Sequence, residues 1–395
     1  MDVVQAANAI ESLRDGVPPE GLVRQFTVGR KREIRRLNEF LSKPDGTALL
    51  LKANYGAGKS HLIKYLREEA LAQNFAVSTV IVNSKEAVRF NRMDQILGAV
   101  FSGLEIPQVP GFRGPRPFFG LMASAAAESR SSDDGSWSRL SRSSRWDMDY
   151  AGVLESPAMY VALRSWIAGD GSTVDLIESW LTRPWEYRTQ RKLLYESLVL
   201  SHWRRFRDPR SPGQFYADGV FEFHTHGHAQ SWAVLRDIDR LAKQAALRGM
   251  IILFDEFEDV ISLSRRDYRE DALRNLFTFY AGKQYPGKTF FAVTPLFAMK
   301  CEISTWRTWG FDQDLLRKLP TFQMSPLGVR QIEELADRII KAHAAAYEWN
   351  AARWVDRRRL REVIHGTAQS GGADRTREAV KQIVRVLDDA LQSSP

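Results

Sequence analysis

Ala53-Asn54-Tyr55-Gly56-Ala57-Gly58-Lys59-Ser60 is the stretch whose reading decides the fold. It matches G-x-x-x-x-G-K-[ST] at every fixed position except the first, where Ala53 stands in place of glycine. Glycines at 56 and 58 let several backbone N–H groups approach one anion, and a following helix presents its positive N-terminus to the same charge. The flanks suit such a loop. Thr47 to Lys52 is an apolar run that reads as a buried parallel strand, and Leu62, Leu66 and Ala70 mark one face of a helix. Strand, glycine loop and helix in that order imply phosphate binding, with Lys59 reaching the outer phosphates and the Ser60 hydroxyl offering a magnesium ligand. Asn54 to Ser60 is therefore the candidate nucleotide-binding run.

Outward from the loop, Phe75 to Val82 reads as a second strand, and Ile96, Val100 and Leu104 as a helix with one apolar stripe. Met250-Ile251-Ile252-Leu253-Phe254-Asp255-Glu256 is a third strand ending in two acids. Asp255 is placed to bind Mg²⁺ through water, and Glu256 to orient and deprotonate the water that attacks the γ-phosphate. The competing reading makes Glu256, Glu258 and Asp259 an acidic cap. A fourth strand, Thr289 to Thr294, ends in a hydroxyl that either contacts the γ-phosphate and attacking water or caps the turn at Pro295. Gly372-Ala373-Asp374-Arg375 opens the last helix, with Asp374 as N-cap. Arg375, or else Arg377, then reaches back over the phosphates as a sensor unless it is simply solvated.

Strands separated by helices predict an α/β fold: a parallel-sheet P-loop NTPase core with a helical insertion and a C-terminal helical lid. The expected divisions are 1–105 and 231–325 for the core, 106–230 for the insertion and 326–395 for the lid. Pro107, Pro110, Pro115 and Pro117 open the insertion, and Ser129 to Ser144 reads as a Ser/Arg-rich loop. Helices are expected around Gln190 to Phe206 and from Ala233 to Leu247. Seven of the eleven Trp residues lie between Trp137 and Trp232, which implies that the insertion has its own aromatic packing.

The 395 residues suffice for roughly two to three domains, and 44% hydrophobic with 26% charged residues excludes a disordered or fibrous chain. No apolar run approaches the ~20 residues of a membrane span, and the N-terminus lacks a basic, apolar leader, so the cytoplasm is the expected location. One cysteine, Cys301, excludes internal disulfides and thiolate metal clusters. The net charge of +8 favours a polyanionic partner or serves solubility.

Val28-Gly29-Arg30, the Tyr55 to Ser60 loop, Asp255-Glu256, Thr294, Ser325-Pro326-Leu327 and Gly372 to Arg375 together resemble an AAA+ ATPase of the initiator and STAND-like branch. More narrowly, Leu13-Arg14-Asp15-Gly16-Val17-Pro18 with Asn54 to Leu62 resembles the BREX-system ATP-binding family of bacteria, found in phage-defence loci often beside a large DNA helicase. The resemblance covers about residues 5–105 and 230–391 and leaves the insertion aside. It implies ATP and Mg²⁺ as ligands and places Val28 and Gly29 on the adenine side. His61 joins the nucleotide-binding set within the matching run. It also implies nucleotide-dependent self-assembly, in which Arg317 of Leu315-Leu316-Arg317-Lys318-Leu319 completes a neighbour's site, with Arg265, Arg266 and Arg274 as weaker choices.

Between Arg183 and Arg210 eight basic residues, among them Arg188, Arg191, Lys192, Arg204 and Arg205, are interleaved with Trp185, Tyr187, Trp203 and Phe206. That is the best nucleic-acid patch in the chain, its alternative being an amphipathic helix with core aromatics. Arg353, Arg357, Arg358, Arg359 and Arg361 form a second cluster facing nucleic acid or a partner subunit. His224, His226 and His228 read as a polar strand or turn before a metal site. The expected function is an ATP-hydrolysing switch in DNA-directed defence, acting on DNA or with a helicase partner. The alternatives are a nucleotide-dependent recruitment module with little turnover and a replication- or transposition-type DNA loader.

Overall fold

The structure is a computed structural model that describes residues 1–82, 88–128, 154–168, 170–201, 213–214, 220–221, 223, 229–257, 265–280, 284–294, 320–369 and 374–393. In chain order its main elements are α1 (Val3–Arg14), α2 (Lys31–Ser42), β1 (Ala48–Ala53), α3 (Lys59–Ala72), β2 (Ala76–Ile81), α4 (Met93–Ser102), β3 (Leu104–Glu105) and α5 (Pro115–Glu128). There follow α6 (Pro157–Ala168), α7 (Gly171–Thr182), α8 (Ala229–Gln244), β4 (Met250–Asp255), α9 (Arg266–Tyr280), β5 (Lys288–Val293), β6 (Thr321–Met324), α10 (Val329–Ala346), α11 (Arg357–Gln369) and α12 (Arg375–Gln392). The strands hydrogen-bond in the order β3-β2-β4-β5-β1-β6. β4 and β5 are buried along their whole length, as expected of continuous apolar strands with both faces covered. No helix among the described residues is long and apolar enough to cross a membrane.

By its contacts the chain forms two compact units, one of Met1–Lys43, Leu49–Glu69 and Phe291–Pro395, the other of Pro44–Ala48 and Ala70–Phe290. In the first, β6 pairs in parallel with β1 from Leu50 opposite Thr321 to Ala53 opposite Met324. The C-terminal helices α10, α11 and α12 bury Ile332, Leu335, Ile339, Ile364, Ile383 and Leu387 in one cluster. Residues 1–14, grouped with the core strands by the sequence reading, contribute α1 to that same cluster through Ala6, Ala9, Ile10 and Leu13. The i, i+3, i+4, i+7 spacing puts these four on one helix face.

The Leu13 to Pro18 motif ends α1. Gly16 N–H donates to the Leu13 carbonyl at 2.9 Å and Val17 N–H to the Ser12 carbonyl at 2.8 Å, a Schellman-type stop. Gly16 has φ of 68°, and a Cβ there would stand 2.6 Å from Arg377 Cγ. Arg14 turns back to Asp388 of α12, 2.9 Å away, and to the Tyr347 hydroxyl at 3.1 Å. Gly16→Ala is therefore expected to destabilise the protein by about 1 kcal/mol or more, read as a lower thermal midpoint, because both the backbone and Arg377 must yield.

In the second unit β2 runs parallel to β4, from Ala76 opposite Met250 to Ile81 opposite Asp255, and antiparallel to the short β3. Two helix ends differ from the sequence reading for reasons the backbone shows. α4 stops at Gly103, so Leu104, read as the last residue of its stripe, instead pairs with Ser78 in β3. α8 ends at Gln244 because Ala246 turns left-handed, φ 61°, and Leu247 N–H closes on the Ala242 carbonyl at 3.0 Å. Residues 191–194 are α-helical and Tyr195–Val199 π-helical within the expected 190–206 helix. Trp180, fully buried, stacks on Phe223 with centroids 5.5 Å apart, giving the segment between the core strands an aromatic centre. Ser129 to Ser144 and His224, His226 and His228 lie outside the described residues.

Candidate nucleotide site

The phosphate loop links β1 to α3 within the first unit. Gly56 and Gly58 have φ of 67° and 101°, left-handed conformations that residues with side chains rarely adopt. Ala57 N–H donates to the Asn54 carbonyl at 3.2 Å, and the first intrahelical bond runs from Leu62 N–H to the Gly58 carbonyl at 3.0 Å. The N–H groups of Lys59, Ser60 and His61 therefore precede the intrahelical ladder and form the positive end of α3. Lys59 is buried, with its ammonium 4.7 Å from the centre of the Tyr55 ring. Asn54, Tyr55 and Ser60 are exposed at the loop's mouth, whereas Ala57 is buried behind it.

A strap of chain before α2 runs alongside α3. Lys64 Nζ donates to the Pro18 carbonyl at 3.0 Å, Arg67 pairs with Glu20 at 3.1 Å, and Glu68 accepts from Val23 N–H at 3.2 Å. Closer to the loop, His61 Nε2 lies 2.8 Å from Thr27 Oγ1, which itself donates to the Val23 carbonyl at 2.7 Å. The hydroxyl has spent its proton on Val23, so His61 carries its proton on Nε2 and donates. Arg30 ends the strap: its Nη2 donates to the Ala57 carbonyl at 2.7 Å and its Nη1 to the Ser325 carbonyl at 2.6 Å. On the strap's other side Gln331 of α10 reaches the Gly29 carbonyl at 3.3 Å, and Arg338 the carbonyls of Gln25 and Thr27 at 2.8 and 3.0 Å.

Burial, with Arg30 and Lys64 nearby, pushes the His61 pKa down to about 4. A histidine depressed in the folded state stabilises the fold above its unfolded pKa, near 6.5, and loses that contribution as pH falls toward 4. We expect stability to decline over that window by an amount on the order of 2 kcal/mol more in wild type than in His61→Asn, measured by urea unfolding at pH 7 and pH 4.5.

The other sequence-predicted residues fall as follows. Val28 is buried in the cluster formed by α1 and the C-terminal helices, and Gly29 has φ of 61° with Gln331 where its Cβ would stand. Thr294, buried, follows β5 directly and lies in the unit that holds the phosphate loop. Arg375 Nη2 donates to the Leu327 carbonyl at 3.4 Å, and its Nε is buried without a hydrogen-bond partner. Asp374 does not cap α12 with its side chain, contrary to expectation, because its φ and ψ of −98° and 16° are not the extended values of an N-cap. In the second unit Asp255 ends β4 buried, its Oδ1 accepting Glu256 N–H at 2.9 Å. Glu256 is exposed and held left-handed at φ 55°, a strained position for a residue with a side chain. Arg317 lies outside the described residues.

The basic patch is divided. Arg188 pairs with Asp94, which is almost fully buried and also holds Arg92 at 2.8 Å, so its guanidinium is committed internally. Trp185 packs at Gly98 of α4, and the Tyr187 hydroxyl donates to Ser179 Oγ at 2.9 Å, the packing alternative for these aromatics. Arg191 and Lys192 are exposed, Lys192 lying 3.7 Å from Glu196, and Arg204 and Arg205 are outside the described residues.

These residues fit a nucleoside triphosphate. The left-handed glycines and the N–H groups that open α3 have the arrangement of an anion cradle. The Ser60 hydroxyl, exposed at the mouth of the loop, is a hard oxygen donor of the kind Mg²⁺ takes. The family model described as BREX system ATP-binding protein BrxC/D matches residues 3–111 and 226–394. The chain belongs to that family. It is thus an ATP-binding protein of the BREX phage-defence system, with a mixed α/β fold compatible with a P-loop NTPase. The match excludes 112–225, the stretch that carries α5, α6 and α7. No curated protein and no solved structure matched the chain.

Sequence reasoning missed Arg30. It singled out Val28-Gly29-Arg30 but assigned only the first two, and the carbonyls that Arg30 holds lie 27 and 295 residues away in sequence.

Proposed function

We propose that this BREX protein hydrolyses ATP and uses the nucleotide cycle as a conformational switch of the AAA+ type. The observation that carries the reading is the left-handed glycine loop closing onto the N-terminus of α3, with Lys59 buried at its turn. Loop amides and Lys59 bind the β and γ phosphates, and Glu256 takes the proton of the attacking water while Thr294 orients it. Ser60 and Asp255 would hold Mg²⁺, which would supply charge neutralisation at those phosphates when bound. Arg375 senses the γ-phosphate from the lid, and Arg317 of a neighbouring copy stabilises the charge that develops on transfer. The proposal includes a DNA or helicase partner, supported by the excess of basic residues and by exposed Arg191 and Lys192.

Phosphate release from ATP and Mg²⁺ by the purified chain, with and without double-stranded DNA, tests it. Free phosphate, increased by DNA, is the expected result. Bound ATP with no turnover in either condition contradicts hydrolysis and leaves the recruitment module; a phosphorylated acceptor in place of free phosphate makes the protein a kinase.

A further inference from the structure

We propose that Arg30 is a positioning residue whose guanidinium holds the phosphate loop and the turn entering the lid helices in one fixed relation. The inference rests on the reading that the 53–60 loop takes ATP. Arg30 is 8% exposed, and burying a cation is costly unless its donors are matched. Here they are matched mostly by backbone: Nη2 by Ala57 of the loop, Nη1 by Ser325 at the end of β6, with Glu33 3.2 Å from Nη1 as the charge partner. A Cβ on Gly58 would lie 3.8 Å from Nη2, so the guanidinium sits directly behind the glycine that the anion approaches.

The turn at Ser325 is itself a junction. Two residues on, the Leu327 carbonyl accepts from Arg375, and the Gly328 N–H donates to Gln331 Oε1 at 2.8 Å while the same Gln331 amide bonds Gly29, next to Arg30. Movement of residues 56–58 on phosphate binding is therefore transmitted through one rigid, planar fork to the start of the lid. Lysine cannot replace it, because a single ammonium on a flexible stem lacks the fixed pair of donors that spans two carbonyls.

The test is hydrogen exchange with and without ATP and Mg²⁺ on wild type, Arg30→Lys and Arg30→Ala, together with ATP titrations that include Lys59→Ala. In wild type we expect ATP to slow exchange in both 54–62 and 321–331. In Arg30→Lys the slowing persists in 54–62 and is lost from 321–331, with ATP affinity about tenfold weaker. Loss of stability alone would not separate the two segments. If Arg30→Ala does not fold, Arg30→Lys decides the matter alone. ATP-dependent slowing of 321–331 in Arg30→Lys equal to that of wild type, or its absence from wild type, overturns the proposal. Equal ATP affinity of wild type and Lys59→Ala instead overturns the reading of the loop on which it rests.

Discussion

Glu256→Gln is expected to bind ATP within about threefold of wild type and to release phosphate at least ~100-fold more slowly, the scale of a lost general base. The substitution isolates one property. Glutamine keeps the length and the Cβ, so the left-handed φ of 55° that residue 256 carries is no more strained than before. Only the ability to accept a proton from water is removed. Unchanged folding stability with lost turnover therefore marks Glu256 as chemically active, and single-turnover phosphate release checks it. Turnover within threefold of wild type would make Glu256 part of an acidic cap after β4 instead.

Lys59→Ala has the second large effect. Its ammonium is buried beside the loop, 4.7 Å from the centre of the Tyr55 ring, and we expect ATP binding to exchange that ring for phosphate oxygens. Cation–π contact is worth about 0.5–1 kcal/mol at an exposed site and about 2 kcal/mol when desolvated, whereas hydrogen bonds to charged groups contribute about 1.5–3 kcal/mol each and the ammonium has three donors to give. The phosphate contact wins. Removing Lys59 is expected to weaken ATP by about 10- to 100-fold, a factor of ten for each 1.4 kcal/mol, and to abolish turnover beyond that. The fold should survive, since Leu62 N–H to Gly58 carbonyl and the turn at Ala57 are backbone bonds that alanine leaves intact.

Legibility in the sequence followed how local each feature is. β1, β4 and β5 are continuous apolar runs, and each strand was readable to within one residue at either end. The phosphate loop was readable because glycine, lysine and serine needed there are adjacent in the chain. β6 was not, because Thr321–Met324 has four residues of mixed exposure and takes its identity from pairing with β1. β3, two residues long, depends likewise on β2. α1 carried a helical pattern, but nothing in twelve residues says that their apolar face joins helices more than 300 residues later. The same distance hid Arg30: only the folded chain brings Ala57 and Ser325 to its two donors.

The central claim is that the 53–60 loop is where this BREX protein binds ATP, and the most direct measurement is a titration with a fluorescent ATP analogue of wild type beside Lys59→Ala, both shown folded by circular dichroism. The account predicts saturable, ATP-competed binding in wild type and at least tenfold weaker binding in the variant. Equal affinity in the two, or no binding to wild type in the presence of Mg²⁺, would contradict it.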